Sequence, residues 1–149
     1  MIAATRLNSG ILASSTRSMT TNYYQAFAEW RIGTHRSTTR GRSVRFFRQT
    51  RDHTVIWSVV MRGYYAKVPA SVKDCIAEVR CSKETARRII LLAESLGYLQ
   101  IRPSPDDARR KQVMPSRQSV IEYQNMVDGY LKLPETLGLE PSKKNRPKK

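Results

Sequence analysis

The spacing of hydrophobic residues along the chain predicts a mostly helical protein. Between residues 20 and 31, aromatic side chains recur at i, i+4 and i+7, which places them on one face of a helix. These side chains are Tyr23, Phe27 and Trp30. Residues 33–43 lose this periodicity and predict a loop or a weak helix, whereas residues 44–49 predict a short basic helix.

Residues 53–65 are apolar on nearly every side, which predicts a buried central helix. A β-strand is the competing interpretation, because the run is rich in β-branched and aromatic residues. The length of the run, thirteen residues, favours the helix.

Two further helices are predicted after Pro69. Ser71 is expected to cap the first of them, and Asp74, three residues later, completes an arrangement that resembles a capping box. The apolar face of this helix consists of Val72, Cys75, Ile76 and Val79. A break is predicted at Arg80 and Cys81, where a turn separates it from the next helix.

The helix after this break is predicted from Lys83 to Leu96, with Ser82 as its N-cap. Gly97 occupies the position past its end where left-handed backbone is common. The predicted buried stripe consists of Ala86, Ile89, Ile90, Ala93 and Leu96.

The C-terminal third of the chain predicts a hairpin followed by a helix. Residues 98–102 and 111–114 have strand character, and residues 103–107 have the Pro, Ser and Asp content of a turn. Residues 115–132 then predict a helix that Pro134 ends. The resulting order of helix, turn, helix, strand, turn, strand and helix predicts a winged helix-turn-helix in a mainly α (α+β) fold.

The net charge of the chain indicates what kind of partner it binds. The chain has 149 residues, with 27 Lys and Arg against 12 Asp and Glu, for a formal net charge of +15. Such a balance favours a polyanion as the partner. We expect one folded domain at residues 20–133, between a disordered basic extension at residues 1–19 and a disordered basic tail at residues 134–149.

Other classes of protein lack support in the sequence. Two Cys rule out a disulfide scaffold, and two His without a ligand cluster argue against a structural metal. Asp106 and Asp107 lie in a turn with no nucleophile at a usable spacing, and there is no Gly-rich phosphate loop. We therefore expect no enzyme activity, no cofactor and no membrane span, with Cys75 and Cys81 as structural thiols.

Two segments resemble the MarR-type transcriptional regulators. Residues 82–90, followed by Glu94 and Gly97–Leu99, look like the recognition helix of that family. Residues 105–109, followed by Val113, look like its wing, whose signature is Asp-x-Arg. The similarity covers residues 69 to about 120. One departure is Arg80, which stands where the family usually has glycine, although non-glycine residues in left-handed turns are uncommon.

The resemblance implies which residues contact double-stranded DNA. The helix at residues 82–97 is expected to read the major groove with Lys83, Glu84, Thr85, Arg87 and Arg88. The wing at residues 98–114 is expected to place Arg109 in the minor groove, with Asp107 orienting it and with Arg110 and Lys111 extending the positive surface. The resemblance also implies a homodimer that forms through helices from both termini. We expect it to be built from residues 20–32 and 116–132, because the apolar stripes in these two segments exceed what so small a domain can bury alone. The sequence gives no support to a small-molecule effector.

These observations predict a sequence-specific transcriptional regulator in the cytoplasm, associated with the nucleoid. The alternative is a structural nucleic-acid-binding protein, associated with the nucleoid or an organellar ribosome, that uses its basic ends. Residues 1–19 support this alternative, because an Arg- and Ser-rich segment without acids is typical of a mitochondrial presequence. A protein-interaction adaptor that no longer reads DNA is a third interpretation.

Overall fold

The structure is a computed structural model that describes residues 23–34, 36 and 41–136. The predicted basic extension at residues 1–19 and all but the start of the predicted tail lie outside the described residues. The chain divides into two compact units. The larger unit comprises residues 39–127, and residues 128–136 belong with residues 23–34 to the smaller one.

Helices and strands follow the predicted order. The helices are α1 (residues 23–34), α2 (Arg42–Phe47), α3 (Arg51–Tyr65), α4 (Val72–Glu78), α5 (Lys83–Ser95), α6 (Arg117–Leu131) and α7 (Leu133–Thr136). The strands are β1 (Ala70–Ser71), β2 (Leu99–Pro103) and β3 (Lys111–Pro115). The predicted mainly α, winged helix-turn-helix fold is confirmed.

The sheet contains one strand more than predicted. The hairpin of β2 and β3 is present, with Ile101 paired to Val113. The additional strand β1 pairs antiparallel with β3 on its other side, where Ala70 faces Val113. A two-residue strand is too short to show any alternation of apolar and polar residues. It joins the first helix of the helix-turn-helix directly to the wing.

The core of the larger unit is centred on α3. The Phe47 and Trp57 rings stack with their centroids 5.1 Å apart, and the buried Trp57 Nε1 donates a hydrogen bond to Ser119 Oγ at 3.0 Å. This bond satisfies the indole N–H away from water and ties α3 to α6. The core around it is formed largely by Val44, Phe47, Ile56, Val60, Met61, Cys75, Ala86, Ile90, Leu99 and Val113.

The predicted central helix is correct, but its burial is less complete than the sequence suggests. Thr50 caps α3 by accepting a hydrogen bond from the His53 amide, which starts the helix at Arg51. At the other end, Tyr64 and Tyr65 are 37% and 49% exposed. Their phenol groups remain in contact with water although the rings are apolar, so composition alone overestimates how far this helix is buried.

The caps of the helix-turn-helix are those predicted. Ser71 Oγ accepts from the Asp74 amide at 3.1 Å, while Asp74 accepts from the Ser71 amide at 2.8 Å, which completes the capping box. Gly97 has a φ of 78°, in the left-handed region. Leu96 was wrongly predicted to be buried, since it is 50% exposed. It occupies the C-cap, where the last turn of α5 leaves the core.

The turn between α4 and α5 needs no glycine. α4 ends at Val79, whose φ of −86° and ψ of 159° are extended. Among the described non-glycine residues, only Lys67 has a positive φ. Arg80 therefore occupies a turn that suits any ordinary residue, and its departure from the family pattern introduces no strain.

The smaller unit contains the aromatic stripe. On α1, Phe27 and Trp30 lie against Tyr130, with ring centroids 5.4 and 5.6 Å apart. The helix continues through Gly33 to residue 34, so the start of the segment predicted as a loop or a weak helix is helical. α6 ends at Leu131, close to the predicted end at Lys132. Pro134 then lies in the first turn of the short helix α7, where proline is tolerated.

Candidate nucleic-acid interface

Three elements enclose an open groove on the larger unit. One side is the start of α4, the second is a face of α5, and the third is the wing, which we define as residues 99–115. The cationic side chains that line this groove are Lys73, Lys83, Arg87, Arg102, Arg109, Arg110 and Lys111. The acidic ones are Asp74 and Glu94. We call this feature the cationic groove, and it is suited to a run of phosphates.

The cationic groove brings together five of the predicted DNA-contacting residues. Two of them, Lys83 and Arg87, lie one turn apart on α5. The other three, Arg109, Arg110 and Lys111, come from the wing. The two sets are more than twenty residues apart in the sequence, and the β2–β3 hairpin brings them close together in space.

The other predicted contacts on α5 lie elsewhere. Glu84 and Arg88 line a separate shallow depression, together with Leu91 and Leu92. Their side chains form an ion pair at 3.5 Å on a highly exposed surface. Such a pair contributes little to stability, so Arg88 can exchange Glu84 for another anion at little cost in free energy.

Thr85 has a structural task at the start of α5. Its backbone amide donates to Ser82 Oγ at 3.1 Å, and its hydroxyl accepts from the Ser82 hydroxyl at 2.9 Å. Both bonds belong to the N-cap, which fixes where the helix begins. Thr85 therefore positions the neighbouring Lys83 and lines neither the groove nor the depression.

Asp107 organises the tip of the wing through the backbone. Its carboxylate accepts from the Arg109 amide at 3.0 Å, and its carbonyl accepts from the Arg110 amide at 2.9 Å. These bonds close the turn and set the direction in which Arg109 leaves it. These bonds involve the backbone amides of Arg109 and Arg110, whereas the sequence predicts that Asp107 orients the Arg109 side chain.

The wing is also attached to the start of α4. Arg110 forms an ion pair with Asp74 at 3.6 Å, close to the point where β1 pairs with β3. The hydrogen bond from the Ser71 amide, with further help from the Ser71 hydroxyl and Arg110, lowers the pKa of Asp74 despite partial desolvation. The ionised carboxylate stabilises the α4 terminus and holds the wing beside it.

Sequence reasoning missed two cations and one apolar residue at this surface. Lys73 on α4 and Arg102 on β2 line the cationic groove, and Leu91 borders both the groove and the depression. Lys73 and Arg102 lie outside the segments that resemble the family's reading elements most closely. The alternation along β2 predicts only that Arg102 is exposed, because the neighbouring half-buried Ile101 lines the same groove.

The two cysteines behave as structural thiols. Cys75 is fully buried in the core, and desolvation raises the pKa of its thiol to about 12. Partial burial, together with the nearby Asp52 carboxylate, also raises the pKa of Cys81. A raised pKa disfavours the thiolate, which is the nucleophilic form of cysteine.

Two further features bear on the class of protein. In the part of the chain that the structure describes, no group of three or more His, Cys, Asp or Glu is placed to hold a metal ion. Across those same residues, no helix combines the length and the apolar character needed to cross a membrane.

Comparison with known proteins supports the fold. No protein-family profile and no curated protein matches the sequence. Among solved structures, the transcriptional regulator Tm0710 from Thermotoga maritima is similar over 88% of this chain and 84% of its own, with a TM-score of 0.56 and 16% identity. MepR from S. aureus, bound to ethidium bromide, is similar over 88% of this chain and 83% of its own, with a TM-score of 0.55 and 10% identity.

YusO from Bacillus subtilis is similar over 91% of this chain and 88% of its own, with a TM-score of 0.52 and 9% identity. These neighbours are MarR-type transcriptional regulators. The chain therefore shares the winged helix-turn-helix fold of these proteins, which is the fold predicted from the sequence.

Proposed function

We propose that the protein is a MarR-type transcriptional regulator that binds specific double-stranded DNA sequences and acts in the cytoplasm without enzyme activity. The observation that carries the proposal is the cationic groove, in which α5, the wing and the start of α4 present their basic side chains to one ligand. The fold that the chain shares with transcriptional regulators supports the same function.

The dimensions of the elements suit a duplex. An α-helix with its side chains is about 10–12 Å across, and the major groove is about 12 Å wide. With α5 in the major groove, Glu84 and Arg88 face base edges, because they lie opposite the buried side of the helix. An Arg in this position pairs with guanine through two hydrogen bonds.

The cationic groove then holds the backbone that separates the two DNA grooves. Lys73, Lys83, Arg87 and Arg102 neutralise phosphates of this strand. The tip of the wing extends beyond it, so that Arg109 enters the adjacent minor groove, where a narrow A·T-rich segment has a strongly negative potential. Arg110 and Lys111 support it on the flanking phosphates.

Two such modules bind together as a homodimer. Apolar side chains are exposed on α1 and at the end of α6, including Tyr24, Ile32 and Leu131. A second copy that covers these side chains removes them from water and places two α5 helices on one duplex. The preferred DNA sequence is then palindromic.

Selection of bound duplexes from a random DNA pool tests the proposal. We expect enrichment of a palindrome, bound at least ~10³-fold more tightly than scrambled DNA. If no sequence is enriched and all duplexes bind with the same affinity, the proposal is wrong and the protein is a structural nucleic-acid-binding protein. No binding to duplexes at all would favour the adaptor.

A further inference from the structure

Leu91 is an exposed apolar residue that lies among the basic side chains of the cationic groove and the shallow depression. The buried side of α5 consists of Ala86, Ile89, Ile90 and Ala93. At 3.6 residues per turn, the opposite side is the stripe of Glu84, Arg88, Leu91 and Ser95. Leu91 is 59% exposed. A leucine in the middle of the outermost stripe contributes nothing to the core of its own domain.

Cations flank Leu91 on both sides. It lines the cationic groove beside Arg87, and it lines the shallow depression beside Arg88. A ligand held by these guanidinium groups covers Leu91 as well. A negatively charged ligand suits these guanidinium groups, and an apolar group on that ligand would remove Leu91 from water.

Duplex DNA satisfies both conditions through one base. In the major groove, the C5-methyl of thymine is the apolar feature among hydrogen-bond donors and acceptors. Leu91 follows Arg88 by three residues on the same stripe, which is about 4.5 Å along the helix axis. Successive base pairs are about 3.4 Å apart. Leu91 therefore faces a base one or two steps from the one that Arg88 faces.

We propose that Leu91 is a specificity-determining residue that packs against a thymine methyl in each half-site. The inference rests on the proposed function, because it requires α5 to lie in the major groove. Leu92 and Leu96 are exposed as well, but they are rotated away from the outer stripe by about a quarter turn or more. Leu96, which lines neither the cationic groove nor the depression, provides a matched control.

The test uses the full-length protein and the duplex selected from the random pool. Each thymine is replaced in turn by deoxyuridine, which removes the methyl and leaves the hydrogen-bonding groups unchanged. At one or two positions of each half-site, affinity should fall about fourfold, the factor that corresponds to burial of one methyl group. Leu91→Ala should bind the thymine and deoxyuridine duplexes equally at those positions.

Leu96→Ala is the control variant, because it removes a leucine of similar exposure at the C-cap of α5. It should keep the full thymine preference, and circular dichroism checks that both variants are folded. Wild-type protein that binds its selected duplex but tolerates deoxyuridine everywhere would overturn the inference alone. The same would follow if Leu91→Ala kept the wild-type thymine preference. A wild-type protein with no preferred duplex would overturn the proposed function itself.

Discussion

The carboxylate of Asp52 accepts a hydrogen bond from the backbone amide of Arg80 at 3.1 Å. This bond attaches the turn between α4 and α5 to helix α3. Asp52 lies in the first turn of α3 and Arg80 lies just before α5, so the bond connects elements 28 residues apart. The position of α5 relative to the core thus depends on a side chain that belongs to neither helix of the motif.

Removing the Asp52 carboxylate should destabilise the protein. We expect Asp52→Ala to lower the free energy of unfolding by about 1 kcal/mol, the usual contribution of such a hydrogen bond. Asp52→Asn, which keeps an acceptor oxygen, should recover most of the loss. Urea denaturation of the three proteins measures the effect. Equal stability of Asp52→Ala and wild type would mean that the turn holds its shape without this bond.

A second carboxylate predicts how stability depends on pH. Glu122 on α6 accepts from the Ser43 amide at 2.9 Å, from the Ser43 hydroxyl, and from Gln118 at 2.8 Å. Burial alone would raise the pKa of Glu122, but these bonds outweigh it and lower the pKa below its usual value of 4.5. The carboxylate stabilises the start of α2 because it faces the helix N-terminus.

Since the folded state holds Glu122 at a lowered pKa, its contribution is present above pH 4.5 and is lost as the pH falls through that lowered value. We expect Glu122→Gln to be less stable than wild type at pH 7, and the difference to shrink towards pH 3. Denaturation curves at several pH values measure this. A difference that does not change with pH would show that the negative charge of Glu122 is not what stabilises α2.

Gly41 illustrates what the sequence could not reveal. A Cβ at this position would collide with the end of the Glu122 side chain, so glycine leaves room for that carboxylate to reach the start of α2. The two residues are 81 apart in the chain, and neither belongs to a periodic pattern. The hydrophobic spacing, by contrast, predicted α3, α5 and the hairpin correctly, because each is specified by residues close to one another.

The cationic groove was predictable only in part. Local motifs identified Arg87 and Arg109 because each lies in a segment that resembles one reading element of the family. Lys73 was missed because its place beside the wing depends on β1, a strand that leaves no trace in the hydrophobic pattern. Leu91 was missed because an apolar residue in a helix is ordinarily taken as part of the core.

The basic C-terminal segment should contribute affinity without contributing specificity. The last seven residues carry five basic side chains and no acid. We expect deletion of residues 137–149, which leaves α7 intact, to flatten the dependence of log affinity on log salt by about 0.9 for each phosphate released. The preferred duplex should stay the same. An unchanged salt slope would show that this segment does not contact the phosphates.

The exposed side chains of the terminal helices predict the oligomeric state. We expect sedimentation at micromolar concentration to show a homodimer, because Tyr24, Ile32 and Leu131 are otherwise left in water. The double variant Tyr24→Ser, Leu131→Ser should shift the equilibrium towards the monomer. Changing Tyr65 to Ser, on the larger unit, is the control and should leave the dimer intact. A wild-type monomer would also remove the reason to expect a palindrome.

Binding isotherms of two arginine variants test the central claim most directly. On the selected duplex, Arg88→Ala should lose about 1–3 kcal/mol of binding free energy and relax the preference at defined positions, whereas Arg109→Ala should weaken binding to most sequences, most strongly with A·T-rich flanks. Arg117→Ala removes an exposed cation outside the cationic groove and serves as the control. If neither Arg88→Ala nor Arg109→Ala changes affinity for the selected duplex while circular dichroism shows an intact fold, α5 and the wing are not the elements that read DNA.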